Sequence, residues 1–195
     1  MKNFDGQFNA QMSQFEKARK AINKDDFFEL LPILANLKPH DKDSEGRTLL
    51  WHALFPTHRR LCAISLINWG CDINCTNKWE QTPLIFAAEC NRAETLKAIL
   101  ETKPKLDAAD VVGNTALYYA VWHCNVEAVG ALLQAGCDPR RKNNAAVNCW
   151  WPLVTKSVSQ FAMMSDMQRV WDLLKDKIDP TTKLELDDYN RQMAH

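Results

Sequence analysis

The sequence predicts an all-α protein made of repeated helix pairs stacked as a solenoid, and three observations predict it. A threonine-headed stretch recurs as DSEGRTLLWHAL at 43–54, NKWEQTPLIFAA at 77–88 and DVVGNTALYYAV at 110–121, with Thr48, Thr82 and Thr115 spaced 34 and 33 residues apart. A second stretch follows it, INWGCDINC at 67–75 and LQAGCDPRR at 133–141, so that Asp72 and Asp138 lie 66 residues apart, twice the same period. Between the two, apolar residues fall at helical spacing: Leu96, Ile99 and Leu100 in one unit, Val129, Leu132 and Leu133 in the next. A fixed period of this length marks a repeat architecture, in which each unit buries its apolar face only against its neighbours.

Each element follows from local chemistry. Residues 12–38 read as two helices, FEKARKAI and FFELLPIL, split by Asn23-Lys24-Asp25-Asp26, and residues 1–42 form an N-terminal capping unit. In the three repeats of 43–142 the threonine caps the first helix, and Pro83, just inside it, loses no needed donor. Ala53, Ala87, Ala88 and Ala120 allow close packing of the first helices. Gly70 and Gly136 end second helices in the left-handed conformation; the middle copy, ILETKPKLDAA at 99–109, lacks the glycine. Residues 143–180 hold a last, irregular pair whose second helix is Asp166 to Lys177. Ile178-Asp179-Pro180 echoes Cys137-Asp138-Pro139 at a distance of 41 residues, which places extra residues within CWWPLVTKSVSQF and Trp150-Trp151 in the core of that unit. Residues 181–195 are a polar tail.

Thr82-Pro83-Leu84 with Ala87 and Ala88 resembles the T-P-L-H-x-A signature of the ankyrin-repeat family, and Thr115-Ala116-Leu117 with Ala120 and Thr48-Leu49-Leu50 with Ala53 are looser copies. The Gly-Cys-Asp segments are similar to that family's G-A-D. The signature histidine is replaced by Trp51, Ile85 and Tyr118, so the hydrogen bond it makes in the family is expected to be absent. The resemblance implies an ankyrin solenoid of about five helix pairs with degenerate capping units. It also implies a non-enzymatic module that binds a protein through its concave face and turn tips.

Composition narrows the classes. With 46% hydrophobic and 25% charged residues the chain can bury a core, and its 24 Lys plus Arg balance 24 Asp plus Glu, so no basic excess points to nucleic acid. Arg59-Arg60 and Arg140-Arg141-Lys142 are thin basic runs. No apolar run approaches the ~20 residues a membrane span needs, and the start, MKNFDGQFNAQMSQF, lacks the apolar core of a signal peptide. The seven cysteines are scattered without a C-x-x-C pair, which argues for free, mostly buried thiols in a reducing cytoplasm and against a metal site. No phosphate loop, G-x-S-x-G or H-E-x-x-H occurs. The neighbours His123 and Cys124 cannot form a dyad, because adjacent helical residues point about 100° apart. No cofactor is expected.

Binding residues then follow from the resemblance by position. In the unit starting at Asn77 the turn tip falls on Lys78, Trp79 and Gln81 and the exposed helix end on Glu89 and Cys90. In the unit starting at Asp110 the same positions are Val111, Val112 and Asn114, then Trp122 and His123. In the unit starting at Asp43 they are Ser44, Glu45 and Arg47, then Phe55. A tryptophan in a polar turn raises its own question, since turns favour Gly, Asn, Asp and Pro. Trp79, Val112 and Trp122, with Phe86 and Tyr119 one period apart, predict an aromatic patch on the concave face, the kind of surface that marks an interface. The expected role is a cytoplasmic protein, monomeric on its own, that occludes one protein, as an immunity protein neutralises a toxin; the alternative is an adaptor or secreted effector that binds a signalling or transcription protein. An enzyme with its site in 143–165 is the reading from another class, disfavoured because that segment holds little besides Lys156 that could act as acid or base.

Overall fold

The computed structural model describes residues 4–44, 46–54, 59–149 and 164–177. They form nine helices: α1 Phe4–Lys24, α2 Phe27–Leu34, α3 Leu49–Leu54, α4 Arg60–Asn68, α5 Pro83–Glu89, α6 Ala93–Glu101, α7 Ala116–Trp122, α8 Val126–Ala135 and α9 Met164–Leu174. Among the described residues β pairing is confined to three isolated bridges, Lys42 with Thr48, Ala109 with Thr115 and Lys142 with Asn148. The all-α repeat fold is therefore the one found. The chain divides into two compact units, Met1–Asn77 and Lys78–His195.

In unit 1, α1 packs on α2 and α3, and α4 packs on α2 and α3. Ala18, Ala21, Ala53 and Ala63 are buried, letting helices approach closely around Phe15, Ile22, Leu30, Leu50, Leu54 and Leu66. Asp26 caps α2 by accepting from the Glu29 N–H, and Asp25, in a left-handed turn, reaches across to accept from the Cys62 N–H at 3.1 Å in the first turn of α4. The first helix is longer than FEKARKAI, starting at Phe4.

In unit 2, α5 packs on α6 and α7, α8 on α6 and α7, and α9 on α8. Thr82 and Thr115 accept from the Ile85 and Tyr118 N–H groups, and Asn125 caps α8 in the same way. Leu84, Leu96, Ile99, Leu117 and Leu132 fill the core, and Val170 and Leu174 of α9 close it. Gly70 and Gly136 adopt positive φ, as their positions require. In the copy without glycine, Lys103 takes the same conformation, φ 56°, at a cost of roughly 1–2 kcal/mol. The repeat backbone thus overrides the local sequence.

The turns before the first helices are alike. Asp43, Asp110 and Asn143 each donate N–H to the carbonyl four residues on (Arg47, Asn114, Val147). The left-handed position is Gly46, Glu80, Gly113 and Ala146 in turn. The segment after residue 142 therefore opens as a regular finger, although its sequence reads as irregular. Phe55 and Glu45, residues 150–161 with Trp150 and Trp151, and the tail 181–195 lie outside the described residues.

Candidate protein-binding surface

Unit 2 presents its fingers as a bonded row. The Val111 N–H donates to the Trp79 carbonyl at 3.0 Å, and the Asn144 N–H to the Val112 carbonyl at 3.1 Å. The Asn144 amide donates to the Val111 carbonyl at 3.0 Å, and the Asn143 amide to Asn114 Oδ1 at 2.9 Å. Gly113 sits where a Cβ would lie 2.6 Å from Asn144 Oδ1 and 2.7 Å from its backbone nitrogen, so only glycine lets these two fingers close up. On this rigid edge Trp79 is 52% exposed, and Val111 and Val112 are 48% and 50% exposed. The Lys78 ammonium lies 4.2 Å from the Trp79 ring centroid, and Glu80 supplies the positive φ that a tight turn needs, so the tryptophan is a tip residue and not the turn former.

The first-helix side continues the surface. Trp122, the last residue of α7, is 42% exposed and stacks on Tyr118, one turn back, with centroids 6.2 Å apart and planes 19° apart. Tyr118 in turn meets Tyr119 edge-on at 5.8 Å. The Tyr119 hydroxyl donates to Asp110 Oδ2 at 2.7 Å, while Asp110 Oδ1 accepts from the Val112 and Asn114 N–H groups. Burial first, then this bond to Asp110, pushes the Tyr119 phenol up to about 12. His123 caps the end of α7, half-buried.

One expected turn-tip residue and one expected patch member sit elsewhere. Gln81 is 7% exposed: its amide donates to Glu89 Oε2 at 2.8 Å, tying the turn to the end of α5 instead of facing solvent. Phe86 is 9% exposed, packed within the repeat with the Arg92 guanidinium 5.9 Å from its ring centroid. Glu89 itself is half-buried at the surface. Tyr118, Asp110 and Asn144 were not singled out by sequence; the spacing of Tyr118 and Trp122, four apart on one helix, was the legible signal for the first.

In unit 1, Arg47 is half-buried and donates from both its backbone N and Nε to Asp43 at 2.9 Å. His52 Nε2 meets Asp43 Oδ2 at 2.9 Å, and Phe15 packs edge-on against its ring. Burial lowers the His52 pKa, more than the Asp43 bond raises it.

Residues 57–143 match the family described as ankyrin repeats (3 copies). The chain contains ankyrin repeats, over residues 57–143. It is similar to neurogenic locus notch homolog protein 1 of Cricetulus griseus and of Mus musculus, 30% identical over 103 residues, which is 53% of this chain and 4% of those proteins. The human protein of the same name is 29% identical over the same length. The chain spans about 4% of the length of these relatives. Ankyrin repeats are protein–protein interaction modules, typically without catalytic activity. The seven cysteines are free thiols, five of them buried. Among the described residues no group of three or more His, Cys, Asp or Glu could hold a metal ion, and no helix is long and apolar enough to cross a membrane.

Proposed function

We propose that this ankyrin array is a non-enzymatic module that binds a protein through the fingers and first-helix ends of unit 2. One observation carries the reading: four large apolar side chains stay about half exposed, Trp79, Val111 and Val112 on a row of hydrogen-bonded fingers and Trp122 at the end of α7. Exposed aromatic side chains on a rigid frame lose little conformational freedom on binding and dominate interface energies. Burial pushes the thiols of Cys62, Cys71, Cys137 and Cys149 up to about 12, so they stay protonated near neutral pH and make poor nucleophiles, which favours binding over chemistry. The mode is occlusion or docking, with no bond made or broken. Neutralising a toxin and engaging a signalling or transcription protein both use this mode, and the identity of the bound protein separates them.

A hydrogen-exchange footprint tests the site. The full chain is used to capture its binding protein, and exchange is then compared with and without that protein. Slowing is expected at 78–81, 110–114 and 118–123. Slowing confined to α6 and α8 would contradict the proposal.

A further inference from the structure

We infer that the face of unit 2 bearing Glu89, Asp110, Tyr118 and Trp122 receives an arginine or lysine side chain of the bound protein, an inference that rests on the protein-binding reading above. The aromatic part is the Trp122–Tyr118 stack, its planes 19° apart and its indole 42% exposed, with Tyr119 set edge-on behind it. The negative face of such rings attracts cations, and a planar guanidinium can lie flat on an indole. Unit 2 already shows this preference twice, in Lys78 over Trp79 and Arg92 over Phe86.

The charged part is a pair of carboxylates. Asp110 is 6% exposed, and its oxygens are taken by neutral donors alone: the Val112 and Asn114 N–H groups and the Tyr119 hydroxyl. Glu89 holds the Gln81 amide on Oε2. Among the described residues neither carboxylate forms an ion pair. Their charge reaches the aromatic face, since Asp110 acts on both phenols and Glu89 on Tyr119, each raising the pKa. The basic run Arg140–Lys142 leads into the next finger, and Arg140 is drawn to Asp138 at 3.2 Å. A purely apolar occupant would desolvate the half-exposed Glu89 and remove water from around the buried charge of Asp110 with nothing to offset the cost, whereas a cation offsets it directly. The surrounding Val111, Val112 and Trp79 then call for apolar residues flanking the basic one.

The test selects a random dodecapeptide library, displayed on phage, against the full chain, and synthesises the enriched peptide. The enriched peptides should share an Arg or Lys beside an apolar residue. Affinity for the synthetic peptide should fall about tenfold or more on Glu89→Gln and on Trp122→Ala, with melting temperatures unchanged, and should also fall on Asp110→Asn and with added salt. Peptides without a basic residue, or basic peptides that bind Glu89→Gln and Asp110→Asn as tightly as wild type, overturn the inference. If such peptides still lose affinity on Trp122→Ala, the protein-binding reading survives alone. Binding that none of these changes affects, or no enrichment at all, removes both.

Discussion

Asp43 in unit 1 and Asp110 in unit 2 hold the same place at the start of a finger, and each bonds the residue nine positions on. Asp43 is met by the charged Arg47 guanidinium, whose Nε lies 2.9 Å from Oδ2, and by the His52 ring, whose Nε2 lies at the same distance. Asp110 is met by a tyrosine hydroxyl and two backbone N–H groups. The same backbone geometry thus produces a neutralised corner in one unit and a negative, aromatic-flanked corner in the other. A repeat frame fixes where an acid sits; the residue four positions later, Arg47 in one unit and Asn114 in the other, decides whether its charge is spent on the fold or left for a ligand.

Breaking the unit 2 corner should have the largest effect. Asp110→Ala removes three part-buried hydrogen bonds and leaves their donors without Asp110, so unfolding free energy should drop by about 3 kcal/mol in urea titration. Asp110→Asn should cost less than about 1 kcal/mol, because Asn143 makes the same two finger bonds with its amide oxygen, to the Ala145 and Val147 N–H groups. Equal losses for the two variants would mean that the charge, and not the hydrogen bonds, holds this finger.

The glycines sharpen the contrast. Gly46 and Gly113 have φ of 76° and 83°, but a Cβ on Gly46 meets nothing within 4 Å, whereas one on Gly113 meets the Asn144 backbone at 2.7 Å. Gly46→Ala should cost about 1 kcal/mol and Gly113→Ala about 2–3 kcal/mol, measured by thermal or urea unfolding. Matching costs would show that the finger row in unit 2 has room to spread.

The smallest effect concerns pH. Burial holds the His52 pKa below its ordinary 6.5, so the unfolded chain binds the proton more readily. Stability should therefore fall as pH drops through about 6.5 and level off below the folded-state pKa. His52→Gln should flatten that part of the profile. A His52 NMR titration midpoint above 6.5 would reverse the sign and show that the Asp43 bond outweighs burial.

Much of the fold was legible because it repeats. Thr82 and Thr115 cap helices as their spacing suggested, and Gly136 ends α8 in the left-handed conformation. Where one copy was weak the period still held: Lys103 adopts a glycine's backbone because the packed helices on either side of it set the turn. The surface was less legible. Position in a finger identifies the tip, but not whether a side chain turns outward. Gln81 turns inward because Glu89, eight residues later, accepts its amide. Phe86 packs inside where Tyr119, one period on, has a hydroxyl to deliver to Asp110. Both outcomes depend on contacts across a repeat, which periodicity alone does not reveal.

The most direct test of the binding surface is the affinity of the captured protein for wild type and for a Trp79→Ala/Trp122→Ala double variant, with melting temperatures measured alongside. A loss of more than about 2 kcal/mol of binding is expected, with the melting temperature nearly unchanged. Undiminished affinity, or a collapse in melting temperature that accounts for the loss, would contradict it and make the two indoles part of the fold.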